Sequence, residues 1–434
     1  MPFTDLRQFL NYLEDQGQLT PVTEEVDPKY EIARRLNRAA KAQGPALLFQ
    51  HVRGSTVPLV AGLFATRQRV LAALDCTEES FTERLLQGMA QPIAPKVVAG
   101  GPCQEVVLLG DEVDLTKLPV PTFSPNDGGP YITLGVVFSK DPETGARNVS
   151  IIRIQLKGKR RLGIMARSYH HAGVQLAKAE AKGLPLEIAI VIGGDPAIPI
   201  ASQWRAPYGV DELGLAGAIR REPVPLVKCK TVDQEVPANA EIVIEGRILP
   251  GVREMEGPFG EAAGYYTPAS PKPVVEVTAI THRKAPIFHA VLCGPPTTET
   301  HLLTQIISEA TLYRALKADF AGVKAVHQPG WGMAFVSLTQ HTRQEARSVL
   351  AALLSKSEVK IAVVVDEDVD VRSLDKVLWA VTTRSQPDKD TIIMSAMTHS
   401  GLDPSSDAGV SAKMGIDATK PFGQPFADVA SLPE

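Results

Sequence analysis

The chain has 434 residues, a formal net charge of −4 and 22% charged side chains, which exceeds one hydrophobic core and leads us to expect two or three domains. The slight acidic excess excludes the basic footprint of a nucleic-acid-binding protein. No apolar stretch approaches the roughly 20 residues of a membrane helix, and residues 1–7 lack the basic start and apolar run of a signal peptide, so the expectation is a cytoplasmic protein with no membrane partner.

Taken in order, Leu6, Phe9, Leu10 and Leu13 fall on one helical face, and Asp27 and Pro28 supply an N-cap and first position for a second helix ending before Gly44. Short strands at 46–49 and 57–60 complete a small α/β unit. Between 115 and 130 the run of Pro121, Ser124, Pro125, Asp127, Gly128, Gly129 and Pro130 marks a loop and a boundary region. Strand signals then dominate at 132–139, 149–156, 162–166, 186–192, 226–232, 241–248, 274–280 and 287–292, interrupted by helical stretches at 172–182 and 210–220. Many short strands with Gly and Pro turns predict a barrel or sandwich. The basic run 157–161 reads as a solvated hairpin turn. From about 300 the pattern alternates: helix 302–316, strand 333–338, helix 342–354, strand 361–365, helix 374–381, which predicts an α/β domain with a largely parallel sheet. The Pro-rich stretch 417–434 is expected to pack on a neighbour or fray.

Two features carry chemistry. A period of two along 149–155 places Arg153 on one face with Val149, Ile151 and Gln155. A guanidinium cannot shed its proton, so burial there demands carboxylate partners. Glu256-Gly-Pro-Phe-Gly-Glu261 offers two, since Gly257, Pro258 and Gly260 disfavour a helix and form a tight loop that can turn both acids toward one point. The residues alone leave open a structural ion pair or proton chemistry on a carboxylic acid. Cys76, Cys103, Cys229 and Cys293 lack ligand spacing, so a metal would be held by other side chains. Asn148, His171 and Glu212 are each readable as a turn or core group. Together, an amide oxygen, an imidazole and a carboxylate suit Mn²⁺ or Mg²⁺.

The ordered set Asn148-x-Ser150-Ile151-x-Arg153, His171, Ile192-Gly-Gly-Asp-Pro196, Glu212 and Glu256-Gly-Pro-Phe-Gly-Glu261 resembles the UbiD-type decarboxylases, which use prenylated FMN. The resemblance extends through Gly129-Pro-Tyr-Ile-Thr133, Val236-Pro-Ala-Asn-Ala-Glu241 and Ser411-Ala-Lys-Met-Gly-Ile-Asp-Ala-Thr419. It implies an α+β multidomain fold: an N-terminal α/β domain (1–114), a central split β-barrel related to flavin reductases that holds the cofactor (115–299), and a C-terminal α/β domain with an oligomerisation tail (300–434).

By the same resemblance Asn148, His171 and Glu212 hold Mn²⁺ (or Mg²⁺) against the cofactor phosphate, and Ala201, Ser202, Trp204 and Glu212 surround K⁺ or Na⁺, with Trp204 departing from the usual side chain. Asn148, Ser150, Ile151, Arg153, His170, His171, Ser202 and Lys413 contact the flavin, with Lys420 the competing lysine. Arg153, Glu256 and Glu261 form a catalytic Glu–Arg–Glu network in which Glu261 is the proton donor. The implied activity is a reversible non-oxidative decarboxylation of an aromatic, heteroaromatic or α,β-unsaturated carboxylic acid of modest size, in a pocket to which 292–303 and 394–408 contribute. A flavin prenyltransferase would supply the cofactor, and a homo-oligomer, dimer or hexamer, is expected. An FMN-binding reductase and a non-catalytic carrier of prenylated flavin are the alternatives. The lack of a Gly-x-Gly-x-x-Gly nicotinamide site weighs against the reductase.

Overall fold

The computed structural model describes residues 3–430, which fall into two compact units that divide between Ile307 and Ser308. In the first unit, helix Leu6–Asp15 buries Leu6, Phe9, Leu10 and Leu13 as the periodicity predicts, with Asp5 accepting from the Gln8 N–H as cap. The second helix starts later than expected, at Glu31, with Tyr30 as its cap residue. Asp27 instead closes a local turn by accepting from the Lys29 N–H at 2.7 Å, which takes up the carboxylate that the sequence assigned to the helix.

A four-stranded sheet runs in the order Leu19–Val26, Ala46–Val52, Leu59–Ala61, Phe288–His289. Its last member falls in the stretch 287–292, which was read as a barrel strand but pairs in parallel with Leu59 and Val60. The stretch 226–232 also leaves the barrel. Pro225–Lys228 pairs with Glu235–Pro237 and with Lys96–Val97 in a separate three-stranded sheet. Alternation identifies strands but carries no information about which edge they join.

The central sheet orders Tyr131–Ile132, Ile154–Leu156, Arg161–Ile164, Ser270–His282, Ile242–Glu256, Leu186–Ile192, Val136–Lys140 and Arg147–Ile151, with Val106–Leu109 added on Ser270–His282. Its pairings are antiparallel, and it curls into a half-barrel around Ile188, Ile190, Ile192, Ile242, Ile244 and Val275. The predicted strand 149–156 is two strands. Arg147–Ile151 pairs with Val136–Lys140, whereas Ile154–Leu156 pairs with Tyr131–Ile132 and Arg161–Ile164. The chain therefore changes partners at Ile152 and Arg153, and the barrel splits there. The basic run is the hairpin turn predicted, closed by the Lys157 N–H on the Arg161 carbonyl at 3.0 Å.

The second unit is a five-stranded sheet in the order Val323–His327, Met333–Leu338, Ile361–Asp366, Val410–Ala418, Thr391–Thr398. Its two inner pairings are parallel and its two outer ones antiparallel, so it is mixed rather than largely parallel. Helices Glu345–Leu354 and Leu374–Arg384 match the predicted ones closely. Of the stretch 417–434, Asp417 and Ala418 close the strand Val410–Ala418, 419–430 form neither helix nor strand and are exposed from 421 onward, and 431–434 lie outside the described residues. No helix among the described residues is long and apolar enough to cross a membrane.

Candidate active site

Arg153 emerges where the chain leaves one sheet partner for another, so its side chain is not bound to a ladder face. Ile152 turns into the core at 8% exposure, and the guanidinium meets the loop after the long strand Ile242–Glu256. Arg153 Nε donates to Glu256 Oε1 at 3.1 Å and Nη2 donates to Glu256 Oε2 at 2.8 Å, a two-point fork, while Nη1 donates to Glu261 Oε1. The side chains of Arg153, Glu256 and Glu261 are 8%, 0% and 13% exposed. Burial opposes the guanidinium charge, but the Glu256 hydrogen bonds and the charges of Glu261 and Glu256 outweigh it and raise the Arg153 pKa. Phe259 lies beneath the guanidinium at 5.0 Å and packs on Tyr131 at 4.5 Å, which fixes the plane of the fork.

The loop geometry depends on glycine. Gly257 has φ +93°, and a Cβ on Gly128 would fall 2.1 Å from the Gly257 carbonyl oxygen. The segment 121–130, read from the sequence as a boundary loop, is thus the floor of the acid loop. The Gly128 N–H donates to the Pro258 carbonyl at 2.8 Å, and Asp127 Oδ1 accepts the Gly260 N–H at 2.9 Å. Gln155 ties the two by donating to the Gly128 carbonyl at 2.7 Å and accepting from the Gly257 N–H at 3.4 Å. Two further groups escaped the sequence reading: Thr267 Oγ1 donates to Glu261 Oε1 at 2.9 Å, and Arg167 Nη2 lies 3.9 Å from the same oxygen. Nothing in their local patterns marks them. The short hairpin of Phe259–Gly260 with Tyr266–Thr267 brings Thr267 back.

His171 and the backbone N–H of Val149, next in sequence to Asn148, both face the Glu212 carboxylate. Glu212 is the cap residue before helix Leu213–Arg220, one position outside the helix on which it was expected, and its Oε2 accepts the Val149 N–H at 2.9 Å. His171 opens helix His171–Ala181, with Nδ1 4.0 Å from Glu212 Oε1. Asn148 is buried and spends its Nδ2 on Ser150 Oγ at 3.2 Å, which leaves the amide oxygen as a donor atom for a cation. Burial raises the Glu212 pKa to about 7, the Asp211 charge adding to it against two backbone hydrogen bonds, and burial lowers that of His171, so the imidazole is neutral. A buried carboxylate facing a neutral imidazole beyond hydrogen-bond length is a site that fits a divalent cation. Burial, reinforced by the charges of Arg167 and Arg205, lowers the His170 pKa to about 4.

Ser150 and Ile151 are half-buried at the end of the Asn148 strand. Ala201 ends the buried helix Ala197–Ala201 and its carbonyl accepts the Trp204 N–H at 2.9 Å, while Ser202 Oγ donates to the Pro199 carbonyl at 2.8 Å. Ala201, Ser202 and Trp204 are all buried. Lys413 and Lys420 belong to the second unit. There Lys413 Nζ donates to the Lys356 carbonyl, and Lys420 pairs with Asp368 at 2.8 Å.

The chain matches three family models described as the N-terminal, Rift-related and C-terminal domains of 3-octaprenyl-4-hydroxybenzoate carboxy-lyase, over residues 10–89, 96–296 and 301–418. It is similar to the UbiD-class enzyme HmfF of Pelotomaculum thermopropionicum solved with FMN, at 44% identity and TM-score 0.95 over 99% of this chain and 97% of that one. An evolved dimeric form of HmfF, solved with prFMN, is 42% identical at TM-score 0.90 over 98% of this chain and 97% of that one. Vanillic acid decarboxylase of Sedimentibacter hydroxybenzoicus in its closed form is 36% identical at TM-score 0.88 over 100% and 96% of the two chains.

Proposed function

The chain belongs to the UbiD family of prenylated-FMN carboxy-lyases, and on that premise we propose that it reversibly decarboxylates an aromatic, heteroaromatic or α,β-unsaturated carboxylic acid, with Glu261 as the proton donor. The observation that carries the reading is the unequal clamp on Arg153: two bonds to buried Glu256, one to Glu261. Glu256 spends both oxygens on the guanidinium, whereas the contacts of Glu261 with Arg153, Thr267 and Arg167 all fall on Oε1, so Glu261 is the acid placed to exchange a proton with substrate. Glu261 is the more exposed of the two and is held by a single guanidinium nitrogen.

Prenylated FMN, when bound, supplies the electron sink for the pair left behind as CO₂ departs. Asn148, His171 and Glu212 would hold Mn²⁺ at the cofactor phosphate, and the carbonyl and hydroxyl oxygens of Ala201, Ser202 and Trp204 would serve K⁺ or Na⁺. Arg153 orients the substrate carboxylate. The carbon–carboxyl bond breaks, Glu261 delivers its proton to that carbon, and solvent restores the proton to Glu261, so one carboxylate and one proton become one hydrocarbon position and one CO₂. A homo-oligomer, cofactor supply by a flavin prenyltransferase and a cytoplasmic setting belong to the same proposal.

The test is co-production with a flavin prenyltransferase, followed by CO₂ release from a panel of unsaturated acids. The Glu261→Gln variant should keep its flavin spectrum and lose at least about 10²-fold in rate. A holoprotein that releases no CO₂ from any acid, or a fully active Glu261→Gln, would overturn the reading.

A further inference from the structure

The acid loop is held on more than one side. Its turn is closed internally, by the Glu261 N–H on the Tyr265 carbonyl and the Gly264 N–H on the Glu261 carbonyl, both at 2.9 Å. The Ala262 carbonyl, immediately after the acid, points away from this turn and accepts from His301 Nε2 at 2.7 Å.

His301 is 4% exposed, and both of its ring nitrogens are committed. Nδ1 accepts the Thr298 N–H at 3.1 Å and lies 2.9 Å from the Thr298 hydroxyl. A carbonyl takes only a donor and an N–H needs an acceptor, so the ring is the neutral tautomer with hydrogen on Nε2. A second proton on Nδ1 would face the Thr298 N–H. Such a ring has no spare site for substrate or proton transfer, and its one evident output is the position of Ala262.

The backbone that carries His301 is tied down two residues earlier, at Glu299. Glu299 is 1% exposed and accepts the Phe64 N–H at 3.1 Å and the Leu292 N–H at 3.0 Å. Helix Glu299–Asp319 is thereby anchored at its start to a segment of the N-terminal sheet region. Gly264 in turn faces Pro295, where an added Cβ would meet Cα at 3.5 Å. The acid loop thus rests on the segment 295–301 at two points.

We propose that His301 is a positioning residue for the decarboxylation: its Nε2–H holds the Ala262 carbonyl and, through it, keeps the Glu261 carboxyl at the Arg153 fork. The inference rests on the reading of Glu261 as the proton donor. Displacing a proton donor by about 1 Å lowers turnover by up to about 10²-fold without removing a binding contact.

The experiment compares His301→Phe, His301→Asn, His301→Gln and Glu261→Gln in holoprotein of matched flavin content. Gln can place an amide N–H near the Nε2 position, whereas Asn reaches only as far as Nδ1 and Phe has no donor. The expected result is a fall of about 10- to 100-fold in kcat for His301→Phe and His301→Asn, with KM within about twofold and recovery of most of kcat in His301→Gln. The double variant Glu261→Gln with His301→Asn should lose little beyond Glu261→Gln alone. If His301→Phe does not fold, His301→Asn against His301→Gln decides the matter, since both keep a polar side chain at the site. Wild-type kcat in His301→Asn, equal losses in Asn and Gln, or a loss confined to KM or flavin content would overturn the inference. If Glu261→Gln is itself fully active, the reading of Glu261 fails instead.

Discussion

Glu256 accepts both the Nε and the Nη2 hydrogens of Arg153, at 3.1 and 2.8 Å, so that the guanidinium meets Glu261 with Nη1 alone. The two acids of the loop are therefore not interchangeable. Glu256 is fully buried and spends both oxygens on one cation, whereas Glu261 Oε1 shares its surroundings with Thr267 and Arg167. Replacing Arg153 by Lys keeps the charge but removes the fork, and a fully buried Glu256 then loses a planar two-point partner. Arg153→Lys should lose about 1–3 kcal/mol of stability and at least about 10²-fold in turnover, read by urea unfolding and CO₂ release at equal flavin content. Activity near wild type would show that the fork geometry is dispensable.

The approach of Gly128 to the acid loop is equally specific. A Cβ there would lie 2.1 Å from the Gly257 oxygen, a backbone atom that cannot rotate away, whereas a Cβ on Gly100 meets nothing within 4 Å. Gly128→Ala should displace the loop, costing about 1–3 kcal/mol together with a fall in kcat, while Gly100→Ala stays within about 0.5 kcal/mol. Thermal unfolding and steady-state rates on the same preparations check both. Equal behaviour of the two variants would contradict the close approach.

The site was legible in the sequence to the extent that its chemistry is local. Two acids bracketing a Gly-Pro turn and an arginine among apolar neighbours announce an ion cluster, whichever strand ladder contains them. The spacing could not show that the arginine stands at a strand break, because Ile151 to Gln155 alternates regardless of whether the two halves share a partner. Pro225–Lys228 and Phe288–His289 likewise read as strands and are strands, but their membership in other sheets is decided by long-range pairing with Lys96–Val97 and Leu59–Ala61. Thr267, Arg167 and His301 reach the acid loop through tertiary contacts between segments distant in sequence, or through a hairpin too short to leave a period. The helix expected at Asp27 starts at Glu31 because the aspartate makes a competing local turn.

Metal removal should expose the Glu212 carboxylate as a pH-dependent liability. Burial raises its folded-state pKa to about 7 against an ordinary value of 4.5, so the folded metal-free chain keeps a proton that the unfolded chain releases. Its contribution to stability is full below pH 4.5 and is lost as pH rises through 7, a loss on the order of 3 kcal/mol. Metal-free protein should therefore show a melting temperature that declines from pH 5 to pH 8. Added Mn²⁺ should flatten the profile, as should Glu212→Gln without metal. A metal-free profile identical to that of Glu212→Gln would remove Glu212 as the source.

The orientation of His171 is set from behind by Tyr208, whose ring meets the imidazole edge-on at 5.1 Å and 84°. Tyr208 is held in turn, because its hydroxyl donates to Asp141 Oδ2, which also takes Lys178 Nζ at 2.6 Å. Burial works against the Asp141 charge, but the hydrogen bonds from Lys178 and Tyr208 outweigh it and hold its pKa well below the usual carboxylate range. The anion therefore persists at neutral pH as a fixed acceptor for the tyrosine. Removing the ring frees the imidazole to rotate away from Glu212, and partners that orient a ligating histidine are typically worth 10- to 100-fold in affinity, so Tyr208→Leu should weaken Mn²⁺ binding by about that factor. Tyr208→Phe, which keeps the ring edge and loses only the hydroxyl, should fall between Tyr208→Leu and wild type. Titration of metal-free protein with Mn²⁺, followed by the electron paramagnetic resonance of the free ion, measures all three, and an unchanged affinity in Tyr208→Leu would mean that His171 is oriented by its helix alone.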